Sequence, residues 1–247
     1  MVTGGKMSKR DLLHRTVKIL DNCMDRTLFF VCILIFFMGA YALYDSYMVY
    51  YEAVDSDILR FKPGYGDDAG DSDRKIEGHM AAWLTMNDSN IDYPVMQGED
   101  NSEYLSKDPF GDYSLAGSIF LDSRNTADFS DDYSLIYGHH MEHGMMFGAL
   151  DAWLDKSYCD EHRTGELIVE DMACKLEVFA VLEVEATREE LFAPTEVERD
   201  RVIAFIREHA RILYEDAFPE DSDRIVALST CKFPDTAERT IVVCRIR

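Results

Sequence analysis

Hydrophobic positions change their spacing several times along this 247-residue chain, and each change marks an element. From Thr27 to Tyr44 they form an apolar run with no charged residue. As α-helix, at about 1.5 Å per residue, the run is roughly 27 Å long, close to a bilayer's hydrocarbon thickness, so a membrane-spanning helix is expected over 27–44. Between Ser46 and Phe61, Tyr47, Tyr50, Tyr51, Val54, Ile58 and Leu59 recur at spacings of three and four, which predicts a stalk helix lying against another surface. Pro63 to Arg74 mixes Pro, Gly and Asp and reads as a linker. Its Asp cluster lacks the alternating ligand order and terminal Glu of an EF-hand, so a solvated turn is expected rather than a calcium site.

Beyond the linker the spacing shortens to strand-like runs divided by turn residues. Strands are expected at Ala81–Met86, Ile91–Met96, Ser118–Leu121, Tyr133–His139, Glu166–Glu170, Lys175–Ala186, Arg224–Cys231 and Arg239–Ile246. These are enough for a small closed barrel or a sandwich. Thr195 followed by Glu198 forms a capping-box pattern, and Val197, Val202, Phe205, Ile206, His209, Ile212 and Leu213 then line one face, so a helix is expected between two strands. Asn101–Leu105 and Met146–Leu154 read as shorter helical turns.

Charge gives the apolar run an orientation. Met1–Arg26 carries six Lys and Arg against three Asp, whereas 19 basic and 43 acidic residues lie from Tyr51 onward. A basic end on one side of the span predicts a cytoplasmic N-terminus and an external C-terminal domain. Tyr41, Tyr44, Tyr47, Tyr50 and Tyr51 suit the outer interface. The alternative is a secretory signal cleaved near Gly39-Ala40-Tyr41-Ala42, which the mass of the mature protein would reveal. A net charge of -22 excludes nucleic-acid binding, since a phosphate backbone needs a basic surface.

Six cysteines in a chain this long do not form a disulfide framework. Cys23 and Cys32 belong to the anchor region, Cys174 and Cys244 to apolar strand-like runs, and Cys159 lies beside a loop. Cys231 differs, because it ends a predicted strand, as His139 does. In a period-two strand Tyr133, Leu135, Tyr137 and His139 share one face, as do Ile225, Ala227, Ser229 and Cys231. A free thiol titrates at about 8.5 and needs a partner to act as a nucleophile at neutral pH. Histidine from another strand supplies one, and Arg239, at the start of the next strand, is placed to stabilise a thiolate or an oxyanion.

These segments resemble the sortase family, and class B sortases in particular. The resemblance runs in order through Asn90–Gln97 (NIDYPVMQ), Asp100–Leu105 (DNSEYL), Gly117–Asp122 (GSIFLD), Ile136–Met141 (IYGHHM), Met146–Gly148 (MFG) and Leu228–Cys231 (LSTC). It implies a mostly β fold with added helices: a closed eight-stranded sortase barrel, an N-terminal helix, and a long helix inserted between strands six and seven. The family's histidine follows the Tyr-Gly pair, which selects His139 over His140. Its cysteine ends the Thr-Leu-x-Thr-Cys motif, which is Cys231, and its arginine opens the last strand, which is Arg239. Asn101, Leu105, Tyr137 and Ser229 match substrate-groove positions, and Thr187, Leu191 and Phe192 fall where the loop before the inserted helix contacts the sorting peptide.

Two features depart from the family pattern. Ala227 replaces the Thr that usually opens the cysteine motif, and Lys232–Glu238 does not align, leaving an acidic orienting residue such as Asp235 unassigned. The resemblance implies cleavage of a C-terminal Asn-Pro-x-Thr motif after Thr through a thioacyl intermediate, then transfer to an amine of peptidoglycan or its lipid-linked precursor. Partners would be surface proteins bearing a sorting signal, at a membrane crossed once, with no metal or organic cofactor. On this reading 1–26 is a cytoplasmic basic segment, 27–44 the anchor, 45–74 stalk and linker, and 75–247 the catalytic domain. The alternatives are a surface protease using water as acceptor, a pilin-polymerising enzyme, and a non-enzymatic barrel. A zinc hydrolase built on His139, His140, Glu142 and His143 lacks the His-Glu-x-x-His spacing.

Overall fold

The computed structural model describes residues 9–53, 56–64, 74–170, 172–231 and 238–247. The chain divides into two compact units, 1–48 and 49–247. Helix α1 covers Lys9–Ala53, and its segment Leu12–Met48 is the one helix among the described residues long and apolar enough to cross a membrane. Leu34, Phe36 and Phe37 are exposed on it. Over the expected stalk helix, α1 carries on to Ala53 and a 3-10 helix spans Ser56–Phe61, with residues 54–55 outside the described part. No Gly or Pro interrupts the chain between Ala40 and Ala53, so nothing stops α1 at the end of the apolar run. Most of the Pro63–Arg74 linker, including its Asp cluster, lies outside the described residues.

The 3-10 helix Ser56–Phe61 buries Ile58 against Trp83, Phe110 and Ile168, with Leu59 and Phe61 packed alongside. Just after it, Lys62 donates to Asp92 at 2.8 Å and Thr85 at 2.9 Å, and the Trp83 indole N–H donates to Asp92 at 2.6 Å. The segment entering the domain is thereby held on the outside of the sheet.

That sheet contains β1 (His79–Met86), β2 (Asp92–Gln97), β3 (Ile119–Leu121), β4 (Tyr133–His139), β5 (Thr164–Val169), β6 (Met172–Glu185), β7 (Ile212–Leu213), β8 (Arg224–Cys231) and β9 (Glu238–Ile246). Their order is β5-β1-β2-β3-β4-β8-β9-β6, and pairing of β5 with β6 closes the ring. The barrel therefore has eight strands, as expected, and two-residue β7 adds to the β6 edge. Neighbours are antiparallel except β2–β3 and β4–β8. The expected strands all form. The core holds Leu84, Leu121, Ile136, Leu167, Phe179, Leu228 and Val242, all fully buried. Each such side chain contributes about 1.5–3 kcal/mol on leaving water.

Three α-helices decorate the barrel: α2 (Lys156–Glu161), α3 (Glu189–Phe192) and α4 (Arg199–His209). The inserted helix lies between the sixth and seventh barrel strands, but its N-cap falls three residues later than the capping box at Thr195 predicts. Glu198 occupies its N-cap and makes no side-chain cap bond. The reason is local: the N–H groups of Glu196 and Val197 both donate to Ala193 O, closing a turn over the expected first residues. Val202, Phe205 and Ile206 are buried as the spacing predicts, whereas Ile212 and Leu213 leave the helix to form β7.

Candidate active site

The parallel pairing of β4 with β8 decides which residues meet. Its register sets Tyr137 opposite Ser229, Gly138 opposite Thr230, and His139 opposite Cys231. Parallel strands run the same way, so both motif-bearing ends finish at the same mouth, on backbones about 4.8 Å apart. On the other side of β8, antiparallel β9 pairs Ile241 with Ser229, and carrying that register two residues further sets Arg239 opposite Cys231. The Arg239 guanidinium donates to Thr230 O at 3.1 Å, which holds it over the end of β8. The histidine, cysteine and arginine singled out in the sequence thus close three adjacent strands at one end of the barrel. The Cys231 backbone completes β8, and its side chain and Asp235 lie outside the described part.

His139 is half-buried. Burial holds its pKa below the usual 6.5, and the neighbouring charge of His140 acts in the same direction. At neutral pH the ring is therefore uncharged and ready to take a proton, and once protonated it is a stronger acid than free histidine.

Two glycines in the recognised motifs owe their place to close approach. A Cβ on Gly138 would sit 2.4 Å from Ile119 Cδ1 and 2.5 Å from Phe147 Cγ, and one on Gly148 would sit 1.9 Å from Met141 O. The 3-10 helix Phe147–Leu154 is thereby pressed against the end of β4 and the loop following His139. That loop turns through His143 and Met146 at φ of 60° and 50°, a left-handed conformation uncommon outside glycine. It is braced where Met146 N–H donates to the Tyr93 hydroxyl at 3.3 Å.

The Phe147–Leu154 helix also delivers Asp151. His140 Nε2 lies 2.6 Å from Asp151 Oδ2, and the Thr240 hydroxyl donates to Asp151 Oδ1 at 2.7 Å. Thr240 N–H in turn donates to the Thr230 hydroxyl at 3.2 Å. Among the described residues no group of three or more His, Cys, Asp or Glu is arranged to hold a metal ion.

The expected groove residues gather around a second carboxylate, Asp122, which is fully buried. Asn101 donates to it at 3.0 Å, the Tyr137 hydroxyl at 3.1 Å, and Arg124 through Nε and Nη2 at 2.9 and 2.8 Å. Burial opposes ionisation of Asp122, but the Arg124 bonds outweigh it and hold the carboxyl below its usual 3.8. Arg124 also reaches Phe192 O at 2.6 Å and Glu196 at 3.3 Å, and the Tyr133 hydroxyl donates to Leu191 O at 3.0 Å. The segment before α4 is thus fastened across β3 and β4. Leu105 is exposed at the end of a 3-10 turn and Phe192 is half-buried. Thr187 is exposed, and its hydroxyl lies 3.3 Å from Glu185. Leu191 and Ser229 are fully buried, so they belong to the wall beneath the groove and offer a peptide no surface of their own.

Asp151, Thr240 and Arg124 were not among the expected site residues. Asp122, His140 and Thr230 lay inside quoted motifs but were not assigned a role there. Asp151 sits in an apolar run that carries no chemical signature in one dimension.

The family described as "Sortase domain" matches residues 84–247. Sortase B of Listeria monocytogenes is 34% identical over 163 residues, covering 64% of this chain and 65% of that one, so the chain spans just under two thirds of that relative. Sortase B of Staphylococcus aureus is 30% identical over 177 residues, covering 70% of this chain and 72% of that one. Among solved structures, a Streptococcus pyogenes class B sortase involved in pilus biogenesis superposes with a TM-score of 0.62 at 38% identity, covering 67% of this chain and 91% of that one.

Proposed function

This chain belongs to the sortase family, in its class B, and from that premise we propose that it is a membrane-anchored transpeptidase acting on the outer cell surface. The observation that carries the reading is the level register of His139 and Cys231 on parallel strands, with the Arg239 guanidinium over the end of the strand between. In the proposed reaction Cys231 gives its thiol proton to neutral His139, and the resulting thiolate attacks the carbonyl carbon of Thr in a C-terminal Asn-Pro-x-Thr motif. Arg239 stabilises the oxyanion. As the tetrahedral intermediate collapses, the C–N bond breaks and His139 gives its proton to the departing amine, leaving a thioester. An amine of peptidoglycan or its precursor then attacks that thioester, His139 takes back a proton, and an amide forms as the thiolate leaves.

Asn101, Leu105, Tyr137, Thr187 and Phe192 would meet the sorting peptide, with Leu191 and Ser229 behind them. The apolar α1 supports a single span over 27–44, with 1–26 in the cytoplasm, 45–74 as stalk and linker, and 75–247 outside. Protease added to intact protoplasts should then remove the catalytic domain and leave the N-terminal segment protected.

The decisive test uses the full chain in detergent with a sorting peptide. Mass analysis should show cleavage after Thr, an amide product when a small amine is added, and neither product with Cys231→Ala or His139→Ala. Hydrolysis unchanged by any amine would make it a surface protease instead. A second reading, polymerisation of pilins, draws support from the 38% identity to the streptococcal enzyme involved in pilus biogenesis. It calls for a side-chain amine of another protein as acceptor, and offering both acceptors in competition separates the two.

A further inference from the structure

The three residues proposed to act on substrate each have a sequence neighbour, and those neighbours are joined by hydrogen bonds. His140 follows His139, Thr230 precedes Cys231, and Thr240 follows Arg239. The Asp151 carboxylate accepts from the Thr240 hydroxyl at 2.7 Å with one oxygen and lies 2.6 Å from His140 Nε2 with the other. Thr240 N–H then donates to the Thr230 hydroxyl at 3.2 Å, and Arg239 donates to Thr230 O at 3.1 Å. Thr230 and Thr240 are fully buried. One carboxylate is therefore linked directly to the ends of β4 and β9, and through Thr240 to the end of β8.

The setting argues against a purely stabilising role. Asp151 is the sole charged residue in Phe147–Leu154, whose Phe147, Leu150 and Trp153 are fully buried against the barrel. The Asp151 side chain keeps 40% of its surface exposed, and a pairing with that much solvent contact adds little to stability. What the carboxylate adds is geometry: two acceptors of fixed spacing that bridge strands arriving from distant parts of the sequence. Reactions between groups held in fixed register are sensitive to small displacements, about 100-fold in rate for an error near 1 Å.

We propose that Asp151 is a positioning residue for the transfer reaction, holding His140 and Thr240 so that the ends of β4, β8 and β9 present His139, Cys231 and Arg239 in one register. The proposal rests on the function assigned above and goes beyond it by naming what fixes the site's geometry.

The test compares full-length wild type, Asp151→Ala, Asp151→Asn, Thr240→Val and Cys231→Ala in detergent, reading kcat and KM for amine transfer from a sorting peptide. Asp151→Ala should lower kcat by about 10- to 100-fold with KM within about twofold, because the displaced groups act on the reacting bond rather than on the peptide's distant contacts. Asn has the same shape and satisfies both partners once His140 changes tautomer, so Asp151→Asn should recover most of the loss. Thr240→Val, nearly isosteric, should fall between wild type and Asp151→Ala, and it carries the test if Asp151→Ala does not fold. Wild-type kcat in Asp151→Ala or in Thr240→Val overturns the proposal, as does an Asn variant as defective as Ala or a loss confined to KM. Inactive wild type, or transfer retained by Cys231→Ala, would instead strike the functional assignment beneath it.

Discussion

Gly148→Ala is a severe test of the packing described here, because its cost follows from one distance. The added Cβ would lie 1.9 Å from Met141 O and 2.9 Å from Met141 C and N, all backbone atoms that no rotamer change can move aside. A carbon needs about 3.3 Å from a carbonyl oxygen, so the Phe147–Leu154 helix or the loop after His139 must shift by more than about 1 Å. Overpacking of this kind costs typically about 1–3 kcal/mol, and a backbone clash belongs at the upper end. For a domain of this size each kcal/mol lowers Tm by about 2–4 °C, which predicts a fall of about 6–12 °C. Trp83 and Trp153 are the chain's two tryptophans and both are fully buried, so fluorescence reports unfolding of the barrel without interference from α1. The same shift drags Asp151 away from His140, so kcat should fall even well below the melting range. Gly138→Ala is the milder control, because its clash is with the Ile119 methyl and the Phe147 ring, and pairing it with Phe147→Leu should recover part of the loss. A Gly148→Ala protein that melts within about 2 °C of wild type and turns over normally would show that the helix is not seated as described.

Replacing His140 by Asn removes the charge that, after burial, lowers the His139 pKa, so that pKa should rise in imidazole NMR titrations; a further fall would contradict the assignment. Because the depressed imidazole lets the unfolded chain bind its proton first, His139 costs the domain stability as pH falls through 6.5, and His139→Gln should lose less stability than wild type between about pH 7.5 and 5.5 in urea titrations. Arg124→Ala leaves the Asp122 carboxylate buried without its cation and should destabilise by about 3 kcal/mol, while exposing the segment before α4 to limited proteolysis; unchanged protection would refute its role as a fastener. Burial raises the thiol pKa of both Cys159 and Cys244, so native protein treated with maleimide should carry label on Cys231 and none on those two until it is unfolded.

The barrel was legible because its strands obey local rules. Tyr133–His139 and Arg224–Cys231 are bounded where the sequence predicts, since in the sequence their apolar runs are flanked by polar residues such as Asp132 and Asp223. The inserted helix was legible in its buried face and wrong at its start: Thr195 and Glu198 have the right spacing for a capping box, but Ala193 O captures the turn first. At the stalk, nothing local ends α1 before Ala53, so one helix runs on past the apolar run that hydropathy alone marks off. For the site, strand-end position and motif order located His139, Cys231 and Arg239. Asp151 could not be found this way, because its meaning lies in atoms from His140 and Thr240, eleven residues before it and eighty-nine after it.

That separation follows from the topology itself. Had β4 and β8 been antiparallel neighbours, their motif ends would lie at opposite mouths of the barrel and a tight turn could have joined them. Parallel pairing brings both ends to one mouth, and it requires a long crossover, here everything from His140 to Asp223. The crossover is where the site acquires its surroundings: the Phe147–Leu154 helix that delivers Asp151 beneath the strand ends, and the segment around Phe192 that Arg124 fastens over β3 and β4. It also contains β5 and β6, which close the ring before the chain enters β8 at Arg224, at the barrel end opposite the site. A register slip of one residue between β4 and β8 would turn His139 to the side now held by His140, so the contacts of His140 and Thr240 with the Asp151 carboxylate oppose it at the position where the proposed chemistry has least tolerance.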